Sequence, residues 1–241
     1  YAETKEVPIE NKEKTGSITV HKTTEGQKNI EGIKFYLRGT SDSGRAIDIP
    51  ATTDKDGIAK FDGVPIGTYM VIEDKETVPY GYLVADEKEV KVEYAQTIDE
   101  TILNNEQTGT VKVHKKTADM TNVEGIRFIL SGISDTGREI RIEATTDKDG
   151  LAKFEGVPVG TYTITEDGST VPYGYLVADS KQVTVAYAQT VDTDMVNEKA
   201  PDTPNTGVTD NDSDGSKALC SVAIILAGAA VLMFSRKRKE R

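Results

Sequence analysis

The chain has 241 residues, a formal net charge of −11, 37% hydrophobic residues and no tryptophan, a length that suffices for one or two ordinary domains. The negative charge argues against nucleic acid as a partner, because binding a polyanion requires a basic surface. The one cysteine, Cys220, excludes an intrachain disulfide and a cysteine-ligated metal cluster. No metal or cofactor is expected, because the Asp-rich segment at 210–215 lacks the final acid of an EF-hand loop and the Asp-Lys-Asp-Gly segments at 54–57 and 147–150 have the pattern of turns.

A repeat of 93 residues organises most of the chain. Residues 16–106 align with residues 109–199 without a gap and share 55 identities in 91 positions. That level of identity indicates a duplicated domain rather than a convergent motif. We therefore predict two domains, at residues 15–106 and 107–199.

The segment before the first repeat continues the same spacing. Asn11 lies 93 residues before Asn104, which lies 93 residues before Asn197. Residues 1–14 are therefore interpreted as the end of a further repeat upstream, in which Asn11 holds the position of Asn104 and Asn197. The alternative is a polar tail in which the asparagine occurs by chance. Because the chain begins at Tyr1 and no signal peptide is visible, it is interpreted as a mature chain or a C-terminal fragment.

Each repeat has the pattern of short strands separated by turns. Four segments of the first repeat alternate or are rich in β-branched residues, at 18–21, 34–37, 68–72 and 90–94. Turn sequences rich in Gly, Pro and Asp separate them, and no segment before residue 217 has a helical period of 3.6. The pattern predicts an all-β fold of tandem immunoglobulin-like sandwiches, with about seven strands each.

Three polar residues in each repeat fall on the inward face of a strand. Side chains two residues apart in a strand share a face, and three inward apolar series each end in a polar residue. An inward charge or amide is costly unless it is paired. The six residues are Lys22, Glu73 and Asn104 in the first repeat, and Lys115, Glu166 and Asn197 in the second.

Three interpretations of these residues are open. Each residue could end its strand and turn out to solvent, or each set could form a buried Lys–Glu ion pair with an asparagine hydrogen bond. In the third interpretation the lysine amine attacks the asparagine carboxamide, releases ammonia and forms an isopeptide bond. Burial favours the neutral amine and the neutral acid, so the lysine would be the nucleophile and the glutamate the proton shuttle.

The motifs resemble those of a known domain family. Each repeat contains Gly-x-(Ile/Val)-x-Val-x-Lys, Asp-x-Asp-Gly-x-Ala-x-Phe and Gly-x-Tyr-x-x-x-Glu, then Pro-x-Gly-Tyr and a last strand that ends in Asn. This series is similar to CnaB-type domains, the collagen-adhesin B-type repeats of Gram-positive surface proteins and pilins. The resemblance implies two isopeptide bonds, Lys22–Asn104 with Glu73 as catalyst and Lys115–Asn197 with Glu166 as catalyst.

Two neighbouring residues could replace members of these pairs. The ungapped alignment matches Asn105 with Glu198 and Lys116 with Thr23, which favours Asn104 and Lys115 as the crosslinked residues. A bond between the first and last strands would carry tension past the hydrogen bonds of the sheet. It would also restrict the unfolded chain, by roughly 4–5 kcal/mol if the loop-entropy estimate for disulfides applies.

The tail has three parts: a polar spacer at 200–217, an apolar segment at 218–235 and a basic end at 236–241. The apolar segment is at the short end for a transmembrane helix, and the basic residues after it predict a cytoplasmic C-terminus. Because the basic residues concentrate here, residues 1–216 carry 23 basic and 39 acidic residues. A plain membrane anchor is one interpretation of this tail.

The spacer favours a second interpretation. It contains a Pro-x-Thr-Gly motif, and this motif, an apolar segment and a basic end together are similar to the sorting signal that sortases recognise. The resemblance implies cleavage after Thr206 and joining to a peptidoglycan precursor or a pilin. Thr203 stands where leucine is commonest, so the class of sortase stays open. The motif residues are Thr203, Pro204, Asn205, Thr206 and Gly207.

These features predict a secreted, cell-wall-anchored stalk, adhesin or minor pilin segment with a transient membrane span. Its expected partners are a sortase and a peptidoglycan precursor or pilin, and its expected chemistry is autocatalytic crosslinking alone. A polymerising pilin subunit is less favoured, because no proline is followed by the lysine of a Tyr-Pro-Lys donor motif. The alternatives are a module that binds a host extracellular-matrix or cell-surface ligand, and the wall-proximal stalk of a larger extracellular enzyme.

Overall fold

The computed structural model describes residues 12–26, 30–119 and 124–201. Within these ranges the chain is all β apart from two short 3-10 helices, and it forms two sandwich-like domains, as predicted. None of the helices in these ranges is long and apolar enough to cross a membrane. Asn11, the sorting motif at 203–207 and the apolar segment at 218–235 lie outside the described residues.

The first sandwich contains seven strands and a 3-10 helix at Lys75–Thr77. The strands are β1 (Thr15–Thr24), β2 (Lys34–Ser41), β3 (Ala46–Thr52), β4 (Ile58–Pro65), β5 (Gly67–Glu73), β6 (Lys88–Val92) and β7 (Thr97–Asn104).

The second sandwich repeats this series, with a 3-10 helix at Gly168–Thr170. Its strands are β8 (Thr108–Thr117), β9 (Arg127–Ser134), β10 (Glu139–Thr145), β11 (Leu151–Pro158), β12 (Gly160–Glu166), β13 (Lys181–Val185) and β14 (Thr190–Asn197).

Each sandwich packs a three-stranded sheet against a four-stranded one. In the first, the strand orders are β4-β1-β7 and β3-β2-β5-β6, and in the second they are β11-β8-β14 and β10-β9-β12-β13. All neighbours are antiparallel except the first and last strands of each domain, β1 with β7 and β8 with β14, which run parallel. The two strands that connect a domain to the rest of the chain are therefore direct neighbours.

Alternating burial positions the core between the two sheets. Every second residue of β1 is buried, as expected for a strand with one face on the core. Large apolar side chains from both sheets meet there, among them Phe35, Leu37, Phe61 and Tyr69. Because the same alternation continues to the ends of β1, β5 and β7, it carries their last polar side chains inward as well.

The Asp-Lys-Asp-Gly segment between β3 and β4 is a turn. One carboxylate oxygen of Asp54 accepts hydrogen bonds from the backbone N–H groups of Asp56, at 2.9 Å, and of Ile58, at 3.0 Å. Asp147 makes the same pair of bonds in the second domain. This is the side-chain-to-backbone bonding that favours Asp in turns.

Candidate functional site: two buried lysine, glutamate and asparagine clusters

Three strand ends bring the inward polar residues of each domain together. Lys22 lies near the end of β1, and Asn104 is the last residue of the parallel neighbour β7, in a register that pairs Lys22 with Ile102. Glu73 is the last residue of β5, in the opposite sheet. The carboxyl group therefore reaches across the sandwich to the two side chains of the first sheet.

One carboxyl group contacts both potential reactants in the first domain. Lys22 Nζ lies 3.3 Å from Glu73 Oε1. Asn104 Nδ2 donates a hydrogen bond of 2.6 Å to the other oxygen, Glu73 Oε2. A single carboxyl group thus bridges the two, with the amine at one oxygen and the carboxamide at the other.

Backbone groups fix the orientation of all three side chains. Lys22 Nζ donates to the carbonyl oxygens of Thr23, at 3.0 Å, and Ile102, at 3.1 Å. Asn104 Nδ2 also donates to the carbonyl oxygen of Leu83 at 2.6 Å, and the N–H of Ala85 donates to Glu73 Oε2 at 2.8 Å. Glu73 Oε1 and Asn104 Oδ1 are buried and accept no hydrogen bond. Glu73 Oε1 lies within ion-pair distance of Lys22 Nζ, whereas a buried oxygen that accepts no hydrogen bond, such as Asn104 Oδ1, is costly.

The second domain reproduces the cluster. Lys115 Nζ lies 3.3 Å from Glu166 Oε1, and Asn197 Nδ2 donates to Glu166 Oε2 at 2.5 Å. Asn197 also donates to the carbonyl oxygen of Leu176 at 2.8 Å. Glu166 Oε1 and Asn197 Oδ1 again accept no hydrogen bond. Two independent sets of side chains therefore adopt one geometry.

Both clusters are closed to solvent. The side chains of the Lys22–Glu73 pair are 0% and 1% exposed, and those of the Lys115–Glu166 pair are both 0% exposed. Burial lowers the pKa of Lys22 and of Lys115, and the neighbouring glutamate opposes the shift without reversing it. A lowered pKa increases the share of neutral amine, which is the nucleophilic form.

The sequence patterns located all six side chains but not the backbone that orients them. The carbonyl of Leu83 and the N–H of Ala85 belong to an irregular segment that the strand signals did not mark. A signal was available, since residues 78–86 recur without change as residues 171–179. A nine-residue irregular segment that is identical in both repeats indicates a shared contact.

The two histidines of the chain lie in different sandwiches. His21 and His114 lie on the outer face, where each ring Nε2 contacts an exposed aspartate, Asp99 at 3.2 Å and Asp192 at 2.8 Å. Among the described residues, no group of three or more His, Cys, Asp or Glu side chains could hold a metal ion.

The chain belongs to the SpaA family of prealbumin-like fold domains, whose model matches residues 16–107 and again residues 109–199. The two matches coincide with the two sandwiches and together cover most of the chain. No relative among the curated proteins matches it.

Solved structures with similar folds include the Bacillus anthracis TIE protein, which is 24% identical with a TM-score of 0.55, over 77% of this chain and 34% of that one. The chain thus spans about a third of that protein. GBS52, the minor pilin of Streptococcus agalactiae, is 19% identical with a TM-score of 0.37, over 80% of this chain and 99% of that one. The shaft pilin SpaA of Lactobacillus rhamnosus GG is 16% identical with a TM-score of 0.36, over 79% and 100%.

Proposed function

We propose that the chain is a stalk segment of a cell-wall-anchored adhesin or minor pilin, stiffened by one autocatalytic isopeptide bond in each sandwich. The observation that carries this proposal is the bridging carboxyl group. Glu73 contacts the amine of Lys22 and the carboxamide of Asn104 at the same time, inside a closed core. A buried ion pair with an asparagine hydrogen bond has the same contacts but loses no ammonia, so the mass of the chain distinguishes the two.

The crosslinking reaction balances within the three side chains. The neutral amine of Lys22 attacks Cγ of Asn104, so that the Nζ–Cγ bond forms and the Cγ–Nδ2 bond breaks. One proton leaves Nζ for Glu73 Oε1, and one proton passes from Glu73 Oε2 to Nδ2, which departs as ammonia. Glu73 ends in its starting protonation state, as a general acid–base catalyst must.

Burial and preorganisation both favour this reaction. The fold holds the nucleophile and the carboxamide against one shuttle, which removes the entropic cost of bringing them together. The amide product carries no charge on either side chain, so the desolvation cost of a buried lysine disappears. The hydrogen bond from Asn104 Nδ2 to the Leu83 carbonyl holds the leaving nitrogen at Glu73.

The position of the bonds suits a load-bearing role. Each would join β1 to β7, or β8 to β14, the strands at which the chain enters and leaves its sandwich. Sortase cleavage after Thr206 would then attach this stalk to a peptidoglycan precursor or a pilin. The tail resemblance supports that step, and the family match to SpaA domains supports the stalk.

Intact-mass spectrometry of the full chain tests the crosslinks. We expect a mass that is lower than the sequence mass by one ammonia for each domain. Glu73→Ala should restore one ammonia and Glu166→Ala the other, because each removes one proton shuttle. The matched control is Glu76→Ala, an exposed residue of the same domain that should leave both losses in place.

Two outcomes would overturn parts of the proposal. A wild-type chain of full mass would return both clusters to the ion-pair interpretation. On material released from the wall by a muramidase, the same measurement should find Thr206 as the last residue, linked to a wall fragment. A chain that keeps residues 207–241 after release would contradict sortase anchoring and leave the crosslinks unaffected.

A further inference from the structure

The junction between the two sandwiches is built around one buried glutamate. Glu106 lies two residues after β7, and its side chain is 0% exposed. Arg138, from the turn between β9 and β10, donates to Glu106 Oε2 from Nε at 3.0 Å and also from Nη2. The hydroxyl of Thr136, from the same turn, donates to Glu106 Oε1. Both guanidinium bonds go to one carboxylate oxygen and the hydroxyl bond to the other, so the turn binds both oxygens of the buried carboxylate.

The first sandwich is shaped to receive this turn. Glu25 lies 3.7 Å from Arg138 Nη2 and accepts a hydrogen bond from the Glu106 N–H at 3.3 Å. A Cβ on Gly26 would lie 3.2 Å from Arg138 Cδ, and a Cβ on Gly81 would lie 2.7 Å from Thr136 Cγ2. Both glycines have positive φ and allow a close approach that a side chain would block.

A matching set of contacts lies at the other end of the first sandwich. Glu13 lies 93 residues before Glu106, and its carboxylate contacts the hydroxyl of Ser43 and Arg45 Nη1, the latter at 3.0 Å. Ser43 and Arg45 lie 93 residues before Thr136 and Arg138. The acid–arginine contact found between the two sandwiches therefore recurs at the other end of the first sandwich.

The backbone repeats this correspondence. The N–H of Ile66 donates to the carbonyl oxygen of Lys14 at 3.0 Å, as the N–H of Val159 donates to that of Gln107 at 3.0 Å. Each pair in the first sandwich lies 93 residues before its counterpart. The register of the incoming chain is thus the same at both places.

Side-chain exposure and a hollow distinguish this face of the first sandwich from the junction between the two sandwiches. Glu13 is 33% exposed where Glu106 is fully buried, and Arg45 is 58% exposed where Arg138 is 39% exposed. Beside them lies a hollow of about 300 Å³, lined by Glu13, Lys14, Asp42, Ser43, Pro65 and Ile66. At the corresponding place on the second sandwich lies Gly81, from the Pro-x-Gly-Tyr loop of the first.

The far end of the second sandwich differs at these positions. Lys199 and Asp119 stand where the first sandwich has Glu106 and Gly26. Lys199 Nζ lies 3.2 Å from Asp119 Oδ2, so the two residues contact each other within the same domain. At this end a lysine therefore stands where the first sandwich has the glutamate that binds Arg138.

We propose that the face of the first sandwich formed by Ser43, Arg45 and Ile66, with Glu13 already seated, is a docking site for a preceding repeat of the same fold. The preceding repeat would insert its Pro-x-Gly-Tyr loop into the hollow. It would also place the counterpart of Glu25 beside Arg45, as Glu25 lies beside Arg138. This inference rests on the proposed stalk function, which needs consecutive domains held in fixed orientation.

Pulsed electron–electron distance measurement tests the inference on an extended chain. A second copy of residues 12–104 is inserted before Lys12, so that Asn104 of the copy precedes Lys12 with the natural spacing. With Cys220→Ser, spin labels at Lys60→Cys of the copy and of the first domain span the new junction. Labels at Lys60→Cys and Lys153→Cys span the natural one. We expect a narrow distance distribution at both junctions, with closely similar mean distances.

Substitutions separate the two junctions. Arg45→Ala in the original first domain should abolish the narrow distance distribution at the inserted junction alone. Arg138→Ala or Glu106→Gln should abolish the narrow distribution at the natural junction alone. Arg38→Ala, an exposed arginine paired with Asp48, should change neither.

Broad distances at the inserted junction, or a narrow peak that survives Arg45→Ala, would overturn the docking site. A broad natural junction would overturn it as well. The ammonia losses, measured on the same samples, report the crosslinks separately, so a failed junction and a failed stalk are distinguishable.

Discussion

The buried lysines are the residues whose chemistry depends most on their surroundings. In water Lys22 would be protonated at neutral pH, whereas inside the sandwich burial lowers its pKa despite the charge of Glu73. Before crosslinking, folding must therefore favour release of a proton from this amine. The crosslink removes the titrating group altogether, so the two states of the domain should respond differently to pH.

The uncrosslinked domain should become more stable as the pH rises. In Asn104→Ala, Lys22 stays buried with no carboxamide to attack, and its folded pKa lies below the unfolded value of 10.5. Between these two values the folded state binds fewer protons, so the free energy of unfolding rises with pH, by up to about 1.4 kcal/mol per pH unit. This stability is lost as the pH falls toward the folded pKa. Urea denaturation of the first domain from neutral pH to pH 10 measures it.

The matched control removes the titrating group. Lys22→Met in the Asn104→Ala background should flatten the pH profile, since the methionine fills the same space without a proton to lose. An Asn104→Ala profile that is flat or falls with pH would contradict the lowered pKa.

At the scale of strands and turns, some parts of the site follow from the local sequence pattern and others depend on tertiary pairing. The alternation in β1, β5 and β7 is local, and it was enough to predict that Lys22, Glu73 and Asn104 face inward. The Leu83 carbonyl could not be predicted this way, because its place is set by pairing with a distant segment. The N–H of Leu83 donates to the carbonyl oxygen of Asn105 at 2.9 Å, just beyond β7.

The junction was missed for a related reason. Between the two complete repeats Glu106 is replaced by Lys199, and its one counterpart, Glu13, lies in the short segment before the first repeat. Its partner Arg138 recurs as Arg45, but an arginine in a polar turn has no local pattern that distinguishes it from a solvated side chain. Such pairs become visible only when the two domains are placed together.

The glycine that opens each repeat has an element-scale role. A Cβ on Gly16 would lie 2.5 Å from the carbonyl oxygen of Glu93 and 2.8 Å from that of Gln96, and both are backbone atoms. Gly109 is confined in the same way by the carbonyl oxygens of Ala186 and Gln189. The start of the first strand thus packs directly on the turn that leads into the last strand.

Gly16→Ala should therefore destabilise the first domain by about 1–3 kcal/mol, the usual cost of forcing extra volume into a packed site. Thermal unfolding of the Asn104→Ala chain, with and without Gly16→Ala, measures the effect without the crosslink. Ser17→Ala is the adjacent control and should shift the melting temperature little. Equal shifts for the two variants would show that the close approach does not constrain the strand.

For the whole molecule, the parallel pairing of β1 with β7 determines how tension acts. The chain enters at the start of β1 and leaves at the end of β7, so the two strands are pulled from opposite ends and their hydrogen bonds are loaded in shear. A Lys22–Asn104 bond would take that load near the end of β1. The 81 residues between the bonded positions would then be unloaded.

Single-molecule stretching should make this difference directly measurable. In each domain of the wild-type chain, the residues between the crosslinked positions should not extend under force. Neither sandwich should therefore give a large extension step. Asn104→Ala should add one step, because 81 residues at 3.3–3.6 Å each release roughly 280 Å of chain. Asn104→Ala with Asn197→Ala should add two such steps, since the second domain has the same strand order. A wild-type chain that already shows both steps would mean that β1 and β8 carry load through hydrogen bonds alone.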